Sequence, residues 1–290
     1  MKILVLGSNG QLGHCLVDQF SCSEHQAIFT TRSDLDITDF AATKDKVTQI
    51  KPDLIINASA YTAVDKAEVD REQAYLINHH AVANIADICR ELYCGLIHVS
   101  TDYVYDGAAT EPYIETDTTN PQGAYGDSKL RGEQAIEASG CQYLIIRTAW
   151  VFSEYGNNFL KTMLSLGAER DELGVVGDQI GCPTYAQDIA RCILALADLF
   201  QKDHFESEIV HFCGDKPCSW YEFAMAIFSS AADKGLTTPA RVKGITTEEY
   251  PTPAPRPAYS VLACDQLTHK FGITPSDWQK AIPEVIDKLL

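Results

Sequence analysis

Long apolar runs are missing from this chain, and so is any excess of positive charge. Lys and Arg number 23 against 40 Asp and Glu, a formal net charge of -17. So acidic a surface repels phosphate backbones, which excludes a general nucleic-acid role and leaves room only for a local basic pocket around a small phosphate ligand. No apolar stretch approaches the roughly 20 residues of a membrane-spanning helix, so no membrane partner is expected. Ile3-Leu4-Val5-Leu6 is the only apolar run before Gly7, too short for the core of a signal peptide, and a cytoplasmic protein is expected. The ten cysteines include no C-x-x-C pair and sit with no His cluster at zinc-like spacing, so no metal is expected. Cys89, Cys192 and Cys213 fall within apolar patterns as small hydrophobes, and all ten read as reduced thiols.

What is present is ordinary globular material, with 46% hydrophobic and 22% charged residues in 290. That length suits one large domain with a lobe inserted or appended. Residues 3–6, 27–30, 53–57, 96–100 and 142–147 read as buried strands, and 173–176 and 209–212 as further short ones. Helical patterning covers 15–20, a stretch ending near Ile50, then 63–67, 72–93, 128–139, 188–199, 219–232, 265–271 and 276–289. Residues 250–257 hold four of the twelve prolines and form a stiff extended loop. Repeated strand–helix units predict an α/β fold, a Rossmann-like doubly wound parallel sheet. Residues 1–150 would form the dinucleotide-binding domain, and 151–290 mainly a smaller C-terminal substrate lobe, interleaved with the sheet.

Three sets of residues carry chemistry in this pattern. Gly7, Asn9, Gly10, Gln11, Leu12 and Gly13 lie between the first strand and the first helix, as G-x-x-G-x-x-G. Glycines there permit a tight turn, close approach of backbone to a pyrophosphate and close helix–strand packing; a ligand-free glycine turn is the plainer reading. After the second strand, Arg32 either faces a 2′-phosphate, favouring NADPH over NADH, or is a solvated loop arginine. Asp36 and Ile37 would lie beside the adenine. The small residues Ala58, Ser59 and Ala60, with Tyr61 and Thr62, follow the third strand and would let the loop pass close to the cofactor.

The third set is Tyr125, Lys129 and Thr101. Tyr125 and Lys129 stand four apart at the start of a helix, so phenol and ammonium share one face. A cation there is expected to lower the phenol's pKa and make it a proton donor to a carbonyl oxygen. A surface pair is the plainer reading for an isolated Tyr-x-x-x-Lys. Thr101 ends the fourth strand, where open α/β sheets bind ligands, and either hydrogen-bonds Tyr125 and a substrate carbonyl or caps a turn. Trp150, past the fifth strand, is either core or a surface for a flat ligand group.

Gly7-x-x-Gly10-x-x-Gly13, Thr101 and Tyr125-x-x-x-Lys129 together resemble the extended short-chain dehydrogenases/reductases. More narrowly, several strings resemble the dTDP-4-dehydrorhamnose reductase family: Asp34-Leu35-Asp36-Ile37, Asn57 to Glu68, Ser100 to Gly107, Arg147 to Trp150, Gly156 to Phe159 and Arg256-Pro257. The resemblance runs nearly end to end. It implies an NAD(P)H-dependent reduction at C4 of a dTDP-4-keto-6-deoxy sugar, the last step of dTDP-L-rhamnose synthesis. Tyr125 would deliver the proton, Lys129 would hold the nicotinamide ribose, and Thr101 would orient the carbonyl. Asp102, Trp150 and Asn158 would contact substrate, and Arg256 its diphosphate. Some family members dimerise through a metal held by glutamates, one of them just after the glycine loop. Cys15 stands there here, so no such metal is expected, and a homodimer is left open. Two other readings are open: a related sugar-nucleotide epimerase or dehydratase, and a non-catalytic dinucleotide-binding regulatory subunit. An intact Thr101–Tyr125–Lys129 set argues against the second.

Overall fold

The computed structural model describes residues 1–200 and 206–290. Its first half runs β1 (Lys2–Leu6), α1 (Gln11–Ser21), β2 (Gln26–Thr30), α2 (Phe40–Ile50), β3 (Leu54–Asn57), α3 (Val64–Ala67), α4 (Arg71–Tyr75), a π-helical turn (Leu76–His80), α5 (Ala81–Leu92), β4 (Gly95–Thr101), α6 (Ala124–Ser139) and β5 (Tyr143–Thr148). The second half runs β6 (Val151–Phe152), α7 (Phe159–Glu169), β7 (Glu172–Val176), β8 (Ile180–Gly181), β9 (Thr184–Tyr185), α8 (Ala186–Phe200), β10 (Glu208–His211), β11 (Cys218–Ser219), α9 (Trp220–Asp233), β12 (Arg241–Ile245), α10 (Asp265–Phe271) and α11 (Trp278–Leu289).

Six strands form one parallel sheet in the order β10-β5-β4-β3-β1-β2. Parallel neighbours need crossovers, and the crossover helices cover both faces, so these strands are apolar on both sides. Ile3, Val5, Leu54, Ile56, Ile97, Leu144, Ile146 and Val210 meet α1 and α8 on one face. Leu4, Leu6, Ile55, Leu96 and Ile145 meet α2, α5 and α6 on the other. The chain reverses direction across the sheet between β1 and β3, which opens a crevice at their carboxyl ends. Beyond residue 150, α8 and β10 still belong to this layer. A separate cluster, with Phe152, Leu160, Leu173, Phe223, Ile227, Trp278 and Ile282, is built by α7, α9 and α11 beside the paired β7 and β12. No helix among the described residues is long and apolar enough to cross a membrane.

The pattern from Glu72 to Tyr93 reads as one helix, but the structure inserts the π turn at Leu76–His80. A π turn widens the coil by one residue and here re-aims Asn78. All ten cysteines are free thiols, nine of them buried.

A buried ion pair joins α6 to the sheet. Arg147 of β5 donates to Glu133 of α6 from Nε (3.1 and 3.2 Å) and Nη2 (2.6 Å), and both side chains are almost wholly buried. Ser100 also donates to Glu133, and Arg147 Nη1 reaches the Tyr105 hydroxyl at 2.7 Å. Such a pair need not add net stability, but removing one member leaves a lone buried charge. Arg147→Met is expected to cost about 3–5 kcal/mol of unfolding free energy, read by urea denaturation. A loss of less than about 1 kcal/mol, the scale of an exposed pair, would mean that Glu133 gains water or a proton instead.

Candidate active site

The glycine loop follows from backbone crowding. Gly7 has φ +82°, and a Cβ there would lie 2.7–2.9 Å from Ser59 atoms. A Cβ on Gly13 would stand 2.2 Å from the Gly7 carbonyl oxygen. Gly10 is different: its Cβ would meet only the Gly7 oxygen, at 3.4 Å, so this glycine fronts open space. Gly10 also caps α1 without any side-chain hydrogen bond, and the first turn of α1 holds no acid. Its leading N–H groups are therefore available to an anion.

Gly7, Asn9, Gly10, Arg32, Asp36, Ile37, Ala58, Ser59 and Ala60 line one cleft of about 260 Å³ at the β1/β3 crevice, closed by Leu35 and Ile77. Gln11, Leu12, Gly13, Tyr61 and Thr62, expected with them, stand outside this lining. Gln11 braces the loop instead, donating to the Val151 carbonyl (3.2 Å) and accepting from Asn158 (2.7 Å). Leu12 packs against the sheet core. Arg32 leans on Asp36, with Nε at 3.1 Å from the carboxylate and its side chain 70% exposed. Asp36 is held below the usual carboxylate range, chiefly by the Thr38 hydroxyl and N–H. The uncapped helix end, the open Gly10 and an arginine at the lip fit a phosphorylated dinucleotide.

Asn78, raised by the π turn, was not anticipated. Its side chain accepts from Tyr61 N–H (2.8 Å), donates to the Tyr61 carbonyl (3.1 Å) and donates to the Ser128 hydroxyl (3.0 Å). It thereby fastens the loop after β3 to α6, beside Lys129. Only the turn's geometry brings it there, and no local motif announces it.

At the carboxyl end of β4, the Thr101 hydroxyl donates to Asp102 (3.0 Å) and lies beside the Tyr125 phenol. The Tyr103 and Tyr125 rings meet edge to face at 5.5 Å. Burial raises the Tyr125 phenol above its usual range, with the neighbouring Thr101 hydroxyl opposing. This corrects the expectation that Lys129 draws the phenol's pKa down. Lys129 is buried with Nζ turned to His98 Nε2 (3.1 Å) and the Val99 carbonyl (2.7 Å). Burial lowers its own pKa to about 8, with Glu133 opposing.

Two polar atoms at this edge are buried without a hydrogen-bond partner among the described residues, Asp102 Oδ2 and Thr148 Oγ1. Thr148 ends β5 directly across from Thr101. Such atoms are costly unless something later bonds them. Thr148 escaped notice because a strand-end threonine looks like any other. Arg256 comes in on the proline loop, donating to the Tyr103 hydroxyl (2.8 Å) and to Asp65 (2.7 Å). Trp150 stacks on Trp220 at 3.4 Å and packs over Gly181, so its ring is committed to the second cluster. Asn158, expected at substrate, has its amide spent on capping α7 and on Gln11 and Ser153. Among the described residues no group of three His, Cys, Asp or Glu side chains is placed to hold a metal ion. Cys15 lies buried on α1 facing α8.

The fold is that of Rossmann-like sugar-nucleotide reductases and epimerases. The family model for the RmlD substrate binding domain matches residues 1–290. The chain belongs to that family, that of the dTDP-4-dehydrorhamnose reductases. It is 42% identical to dTDP-4-dehydrorhamnose reductase of Aggregatibacter actinomycetemcomitans, over 98% of each chain. A crystal structure of a dTDP-4-dehydrorhamnose reductase from Clostridium acetobutylicum superposes with a TM-score of 0.93 at 42% identity, covering 100% of this chain and 99% of that one. The Bacillus anthracis enzyme, solved in complex with NADP, gives 0.90 at 35% identity and 99% coverage of both.

Burial raises the Asp102 carboxyl from 3.8 to about 6, with the nearby Ser260 and Thr101 hydroxyls opposing. A folded-state pKa above the unfolded value makes ionisation destabilising. The contribution is fully present below about pH 4 and is lost as pH rises to about 6, roughly 3 kcal/mol in all. Asp102→Asn is expected to flatten that part of the stability–pH curve. Equal slopes for wild type and variant between pH 4 and 6 would show that Asp102 titrates normally.

Proposed function

We propose that this chain reduces the C4 keto group of dTDP-4-dehydro-L-rhamnose to give dTDP-L-rhamnose, in the cytoplasm, with NADPH or NADH. The observation that carries the reading is the Tyr125 phenol beside Thr101 and one helical turn from Lys129, inside a chain related end to end to reductases of this kind. When bound, a reduced nicotinamide would supply the hydride for C4.

The chain's own residues supply position and the proton. Tyr125 gives its phenolic proton to the oxygen that becomes the 4-hydroxyl. In the direction of reduction the donor must start neutral, so a raised phenol pKa suits the role. Thr101 orients the carbonyl oxygen, and Lys129 holds the nicotinamide ribose. Asp102 and Thr148 offer the sugar hydroxyls the partners that their unsatisfied oxygens lack. Arg256 takes the diphosphate as a planar two-pronged donor, trading its bond to Asp65 for phosphate oxygens. Residues 151–290 contribute mainly to the substrate side, and Trp150 bounds the sugar through its edge. The uncapped start of α1 receives the pyrophosphate, with Arg32 at a 2′-phosphate.

The test is loss of reduced-nicotinamide absorbance on mixing the protein with NADPH or NADH and dTDP-4-keto-6-deoxyglucose, supplied with its 3,5-epimerase. Oxidation that requires both sugar and epimerase is expected. Tyr125→Phe is expected to lose about 10²-fold or more in kcat while binding dinucleotide within about twofold of wild type. Turnover by that variant near the wild-type rate would remove Tyr125 as the proton donor.

A further inference from the structure

Behind Lys129 lies a line of buried polar groups that the proposed reaction does not use. Ser59 N–H, at the wall of the dinucleotide cleft, donates to Asn57 Oδ1 (3.1 Å). Asn57 Nδ2 faces His98 Nδ1 (3.1 Å), and His98 Nε2 faces Lys129 Nζ (3.1 Å). Lys129 Nζ also donates to the Val99 carbonyl (2.7 Å). Asn57, His98 and Lys129 are buried to within 1%.

The donors in this line are not interchangeable. A backbone N–H only donates, so the Asn57 oxygen must face Ser59 and its NH₂ must face His98. His98 Nδ1 is then an acceptor, and in a neutral imidazole the proton sits on Nε2. An ammonium carries donors only, and Nε2–H against it would set donor against donor. The arrangement closes only when Lys129 is a neutral amine, accepting from Nε2–H and donating to Val99.

From this geometry we infer that His98 is a positioning residue that couples the proton on Lys129 to the wall of the dinucleotide cleft. When Lys129 charges, one proton enters: the Nε2 proton passes to Nζ, and Nδ1 takes up the proton from solvent. Nδ1–H must then meet the Asn57 oxygen, so the amide turns and Ser59 N–H is released into the cleft. A dinucleotide that accepts from Ser59 N–H, or whose ribose prefers an ammonium, favours that second state. By linkage its binding and the Lys129 proton strengthen each other. Burial holds His98 well below its ordinary pKa, so it relays without becoming imidazolium. The charged group facing the line is Glu133 of α6, already paired with Arg147 of β5. The inference rests on the dinucleotide reading of the cleft but not on sugar reduction.

Two measurements test it on the full chain. In ¹⁵N-histidine NMR, with His98 identified by the signal missing from His98→Gln, the neutral Nε2–H form is expected at high pH. It should convert to the neutral Nδ1–H form as Lys129 takes its proton. A His98 that stays in the Nδ1–H form throughout, or titrates to imidazolium, overturns the relay. Separately, NADPH affinity is measured by fluorescence between about pH 7 and 9.5, above the 2′-phosphate's own titration near 6. Affinity is expected to rise about tenfold toward neutral pH in wild type and less than twofold in His98→Phe. Equal pH dependence in both, or none in wild type, overturns the coupling. Should the variant fail to fold, the wild-type spectra and binding curve still decide. Neither readout involves the sugar, so absence of reductase turnover is a separate result.

Discussion

Helix α6 lays two ionisable side chains, Lys129 and Glu133, one turn apart against the middle of the sheet, and the surroundings are arranged to satisfy them. Glu133 is answered by Arg147 from β5 and Ser100 from β4. Lys129 is answered by His98 and the Val99 carbonyl from β4. An unpaired charge at that depth would cost several kcal/mol, so these partners hold α6 in one register on the sheet. That register sets where Tyr125, one turn earlier, meets Thr101.

The same edge collects everything else. Because all six strands run parallel, their carboxyl ends face one way, and the loops after β1, β3, β4 and β5 converge. The proline loop joins them from far along the chain, and Arg256 arrives next to Tyr103. The Asn78 side chain then ties the β3 loop to α6. The glycine-lined cleft and the Tyr125–Thr101 pair thus stand along one edge of the sheet, the proximity that the proposed hydride transfer needs.

Much of this was legible in the residues. Two-sided apolar strands spaced by helical segments announce a parallel sheet, and the glycine spacing after β1 announces a tight strand–turn–helix. Tyr125 and Lys129 are one turn apart by the period of the helix alone. The less legible parts depend on partners distant in the chain. Trp150 reads equally as ligand platform or core until Trp220 is seen against its face. Asn158 looks like a free amide until its cap and Gln11 are seen. The phenol's pKa follows from burial, and burial is a property of the packed site, whereas the four-residue spacing suggested only the nearby cation.

The sequence by itself determined the period of each element, the α/β class and the short-range pairs, because these depend on neighbours within one or two turns. The tertiary structure alone decided which polar groups are buried together. His98, Asn57 and Lys129 lie 31 or more positions apart in sequential steps along their contacts, and sequence spacing says nothing about their hydrogen bonds. Whether a proton rests on the lysine or the imidazole is a matter of donors and acceptors meeting in a buried space. Only the folded chain creates that space.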